Sequence, residues 1–101
     1  MNNDVLISEV ETKLNKFFNT EHIKIVDDSE NHVGHSGNTG GAHLCLEIVA
    51  NCFEELTRIE RHKLIYKCLD GFIPQRIHAL KVLALSPTEI KNLYEKNPPI
   101  K

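Results

Sequence analysis

Between two short apolar runs, His22–Val26 and Leu44–Val49, the chain carries Asp27-Asp28-Ser29-Glu30-Asn31-His32-Val33-Gly34-His35-Ser36-Gly37, closed by Gly40-Gly41-Ala42-His43. Three histidines and four of the five glycines are packed into this stretch. Such a composition cannot serve burial, so the segment is a loop joining two strands, and the flanking runs read as a hairpin with a long connection. Its glycines free the backbone, while imidazole is the side chain best suited to metal binding or to a charge change near neutral pH. Function is therefore expected to involve this loop.

The remaining elements follow from periodicity and punctuation. Leu6, Val10, Leu14 and Phe17 recur at three- and four-residue intervals, predicting an amphipathic helix over 3–18 with Glu9, Lys13 and Lys16 facing water. Asn19-Thr20 ends it. A second helix is predicted from about Thr57 to Leu69, with Leu56, Ile59, Tyr66, Leu69 and Ile73 on its buried side and Gly71 and Pro74 marking its end. Ile77–Leu85 is rich in apolar residues between breakers and reads as a third strand, although its alanine and leucine content also suits a helix. Ser86, Pro87 and Glu89 have the spacing of a capped helix start, predicting a last short helix to about Tyr94. The order helix, strand, strand, helix, strand, helix predicts an α+β fold: a three-stranded mixed sheet with helices packed on one face. One domain over 1–96 and a loose tail over 97–101 are expected.

Charge and cysteine usage narrow the function classes. Residues 1–57 hold three lysines against ten acids, a net −7, whereas residues 58–101 hold nine Lys or Arg against four acids, a net +5. Arg58, Arg61, Lys63 and Lys67 thus form a candidate surface for an acidic protein or a phosphate backbone. Cys45, Cys52 and Cys68 form no CxxC pair and lie among apolar neighbours, so buried reduced thiols are expected rather than disulfides or zinc ligands. No apolar run approaches the roughly 20 residues that span a bilayer, and the N-terminus lacks a signal-peptide pattern. A cytoplasmic protein is expected. No paired carboxylate or nucleophile–base pair suggests an enzyme.

Taken together and in order, Asp27-Asp28-Ser29, His32, Gly34-His35, Gly40-Gly41-Ala42-His43, Arg61-His62-Lys63-Leu64-Ile65-Tyr66 and Ile77-His78-Ala79-Leu80 resemble the BolA-like family. The resemblance runs from the first helix to about Glu89. It implies a fold like the type II KH domain and a role beside monothiol glutaredoxins in handling [2Fe–2S] clusters. It assigns His32 and His78 as this chain's ligands, with His35 the alternative in the loop. The other two ligands would be the glutaredoxin cysteine and a glutathione thiol, so no cofactor is expected in the isolated chain, a monomer or weak homodimer. His43 and His62 are expected to support the ligands, His62 through a hydrogen bond across helix and sheet that orients His78. His22 is expected at the surface. The alternative implied by the family is a nucleic-acid-binding transcriptional regulator of stress response and cell shape. The Gly34-His35-Ser36-Gly37 spacing is that of a KH clamp, but it falls between strands instead of helices.

Overall fold

The computed structural model describes residues 3–28 and 41–96; His32 and His35, and the tail 97–101, lie outside the described residues. The elements are α1 (Asp4–Phe18), β1 (His22–Asp27), β2 (Ala42–Val49), a 3₁₀ turn (Asn51–Glu55), α2 (Arg58–Cys68), β3 (Ile77–Leu85) and α3 (Pro87–Lys96). β2 lies between the other strands, antiparallel to β1 and parallel to β3. The mixed sheet and the expected element order are thus present.

Strand alternation divides the sheet into two faces. Ala42, Leu44, Leu46 and Ile48 of β2 are buried beneath α1 and α2, while His43, Cys45 and Glu47 between them are half-buried on the opposite side. Each fully buried Leu or Ile in such a core contributes about 1.5–3 kcal/mol. α3 instead borders the far end of the opposite side, where Pro87, Ile90 and Tyr94 share a cleft with His22, Glu47 and Val49.

Two helix faces differ from the periodicity. In α1 the buried row is Leu6, Val10, Leu14 and Phe18, and Phe17 is 54% exposed. The last turn packs against the 3₁₀ turn: the Phe18 ring lies 5.2 Å from that of Phe53, and Phe17 rests edge-on against Phe18. Asn19 then stops the helix in the left-handed conformation (φ 52°), its N–H donating to Asn15 O. In α2 the residues turned inward are Arg61, Ile65 and Cys68, followed by Leu69; Ile59 and Tyr66, predicted as core, are exposed.

Arg61 is the reason. Its guanidinium donates to Leu56 O (3.1 Å), Ala84 O (2.9 Å) and Phe53 O (2.7 Å), and pairs with the Glu89 carboxylate. One side chain therefore ties the 3₁₀ turn, β3 and α3 together, and α2 is rotated to let it do so. Arg61 is only 4% exposed, so its assignment to a partner or nucleic-acid surface is corrected: it is a structural tie.

Both later helices start with reciprocal caps. Thr57 N donates to the Glu60 carboxylate and Glu60 N to Thr57 Oγ1; Ser86 N donates to the Glu89 carboxylate and Glu89 N to Ser86 Oγ. Burial pushes the Glu89 carboxyl up, but the bonds from Ser86 and Arg61 outweigh it and hold it below the usual carboxylate range.

Candidate functional site

The histidine expected at the head of the last strand is set by a fault in the ladder. Ala42 pairs with Ile77 and His43 with Ala79, so one step along β2 spans two steps along β3. His78 is the extra residue. A bulge of this kind turns a side chain out of the regular alternation. His78 is exposed, and its ring centroid lies 5.3 Å from that of His43. The parallel pairing of β2 with β3 thus brings together two imidazoles 35 positions apart in sequence.

The stems of the loop are fastened at the same spot. On the entry side, Asp28 N donates to His43 O at 2.7 Å. On the exit side, Gly41 has φ 75°, and a Cβ added there would lie 2.9 Å from His78 Cβ. Only glycine combines that left-handed conformation with that approach. Ala42 N next donates to Arg76 O at 3.0 Å, fixing the turn into β3.

An extended chain reaches about 3.3–3.6 Å per residue, so His32, four positions past Asp28, is tethered within roughly 14 Å of that stem. Among the described residues, no group of three or more His, Cys, Asp or Glu is placed to hold a metal ion.

The other expected residues divide. The His43 ring stands 5.3 Å from that of His78. His62 is exposed and borders Val82–Leu85 at the opposite end of β3, and among the described residues no hydrogen bond joins it to the sheet. That bond comes instead from Tyr66, whose hydroxyl donates to Leu80 O (3.1 Å). Arg58, Lys63 and Lys67 are exposed. Cys68 is buried, Cys45 half-buried and Cys52 exposed, which corrects the expectation of three buried thiols; all are free. Burial pushes the Cys68 and Cys52 thiols up, away from the reactive thiolate. His22 is at the surface as expected, its Nε2 2.7 Å from a Glu47 carboxylate oxygen. Sequence reading missed Gly41 and the bulge at His78. The Gly40-Gly41 pair just before β2 was the available signal for a special turn.

A family profile described as BolA-like protein matches residues 14–89. The chain belongs to the BolA-like family. This BolA-like chain is 30% identical to the DNA-binding transcriptional regulator BolA of Haemophilus influenzae over 89 residues, covering 88% of this chain and 84% of that protein. It is 31% identical over 87 residues to SufE-like protein 1, chloroplastic/mitochondrial, of Arabidopsis thaliana, covering 80% of this chain but 24% of the longer relative. Among solved structures, the BolA domain of SufE1 from Arabidopsis thaliana superposes with a TM-score of 0.71 at 33% identity, covering 81% of this chain and 92% of that one. Among the described residues, no helix is long and apolar enough to cross a membrane.

Proposed function

We propose that this BolA-like chain is a non-enzymatic adaptor that pairs with a monothiol glutaredoxin and shares a [2Fe–2S] cluster with it, His78 and the loop residue His32 being its ligands. The observation that carries the reading is the bulge: it turns the His78 ring outward beside His43, next to the exit stem of the histidine-bearing loop at Gly41. Two imidazoles from one chain make an open half-site, so a partner's thiolate and glutathione are needed to complete it. Imidazole in place of thiolate raises the reduction potential of such a cluster. Within the chain, His78 gives a ligand set on β3 and His32 one carried by the loop, while the His43 ring stands 5.3 Å from that of His78. Both ligands must be deprotonated to bind, so acid competes with assembly. Three free thiols suit a reducing compartment, and we assign the cytoplasm on that ground.

The test is reconstitution with a monothiol glutaredoxin, glutathione, ferrous iron and sulfide, followed by visible absorption and circular dichroism. The mixed-ligand spectrum is expected to be lost with His78→Ala and with His32→Ala. An unchanged spectrum for both defeats the assignment.

A second reading, nucleic-acid binding, is favoured by one observation: the Haemophilus influenzae relative is named a DNA-binding transcriptional regulator. Arg58, Lys63 and Lys67 would carry the phosphate contacts, and binding would then weaken steeply with salt.

A further inference from the structure

The two large apolar residues of α2 that periodicity assigns to the core, Ile59 (69% exposed) and Tyr66 (42% exposed), flank the same feature, the free edge of β3. Arg58, Ile59 and His62 form one wall of a groove whose floor is Val82–Leu85. Around Leu83, itself 49% exposed, this groove joins a second cleft on the open sheet face between Lys24, Val26 and Lys81.

The backbone at this edge is partly unsatisfied. Leu85 O accepts from Ala50 N, so the odd residues of β3 here turn toward β2 and the even ones turn outward. Tyr66 caps Leu80 O and Arg61 caps Ala84 O. Val82, between them, presents an N–H and a C=O with no partner among the described residues. An extended chain laid along the edge could take both.

Charge says which chain. Arg58, Lys24 and Lys81 line the joined surface, whereas its one acid, Glu47, is engaged by His22. A second copy of this protein packed by two-fold symmetry would set those cations against themselves. We propose that the α2–β3 groove docks an extended acidic segment of a partner protein, aliphatic side chains meeting Ile59 and Leu83, carboxylates meeting Arg58 and Lys81, and main-chain bonds meeting Val82. This goes beyond the cluster reading in naming a docking surface at the opposite end of β3 from His78, and it needs no metal.

The experiment is selection of a random dodecapeptide display library on the full apo chain without iron, sulfide or glutathione, followed by fluorescence anisotropy with the selected peptides. Peptides alternating aliphatic residues with Asp or Glu are expected, their affinity falling with salt. Ile59→Glu and Arg58→Glu should each weaken binding by about tenfold or more, as for a central interface anchor, with far-UV circular dichroism unchanged. Ile59→Leu should bind as wild type, and so should His78→Ala, which separates failure here from failure of the cluster reading. No enrichment, enrichment of basic peptides, indifference to Ile59→Glu, or a dimer in sedimentation that Ile59→Glu dissolves would each overturn the proposal.

Discussion

Replacing Arg61 with alanine removes the four polar contacts of its guanidinium at once. Two of the abandoned acceptors, Phe53 O and Ala84 O, are buried, and Leu56 O is partly so. A buried polar group left without a partner costs roughly 1–3 kcal/mol, somewhat less where water can enter the space vacated. The Glu89 side chain is 35% exposed, so solvent screening holds the loss of its ion pair below about 1 kcal/mol. Stacking of the guanidinium 5.7 Å over the Phe53 ring goes as well. The expected destabilisation is about 4 kcal/mol, a large part of the roughly 5–15 kcal/mol that holds a domain folded. The chain has no tryptophan, so urea unfolding is best followed by far-UV circular dichroism. With an m value of roughly 1–2 kcal/mol/M, the midpoint falls by roughly 2–4 M. Arg61→Lys should lose about half as much, since one ammonium cannot reach three carbonyls in different directions. A loss under about 1 kcal/mol for Arg61→Ala, accompanied by weaker partner binding, would refute the argument and return Arg61 to the surface role suggested by its charge.

Three further outcomes are expected. Because the folded-state pKa of Glu89 is depressed, its contribution is fully present above the unfolded value of about 4.3 and is lost as pH falls through the folded value; urea midpoints should therefore drop more steeply below about pH 5 in wild type than in Glu89→Gln, and parallel profiles would contradict this. Gly41→Ala must hold a side chain in the left-handed region and against His78 Cβ, so it should lose about 1–3 kcal/mol in urea unfolding and shift the reconstituted spectrum; neutrality on both counts would show that the close approach is unimportant. Iodoacetamide at pH 7.5 should label Cys52 more slowly than a cysteine in a short peptide, and Cys68 only on unfolding, because burial pushes both thiols up; rapid labelling of native Cys68 would contradict the packing described.

Strands and helix starts were legible because local chemistry dictates them. Ile77–Leu85 is apolar between breakers, and the Ser86–Glu89 spacing announces a cap that forms as expected. Helix faces were less legible, since a periodicity argument ranks arginine as outward and cannot anticipate that Arg61 is buried by three carbonyls from two other elements. Ile59 and Tyr66 were consequently placed inside when the rotation of α2 puts them out. The sequence resemblance indicated His78, but not the bulge that exposes it or the Gly41 approach, both of which depend on parallel pairing between residues distant in the chain. His43 could be named as a neighbour of the ligand without its register being known; His62 could not be placed without knowing which way α2 faces.

The central claim is that two imidazoles of this chain reach a shared cluster, one of them from the bulge at His78. It is tested most directly by pulsed electron paramagnetic resonance of the reduced complex with glutaredoxin, using protein labelled with ¹⁵N only in histidine. Two strongly coupled ¹⁵N nuclei are predicted, with one remaining after His78→Ala. Couplings that are absent, or that survive His78→Ala unchanged, would contradict it.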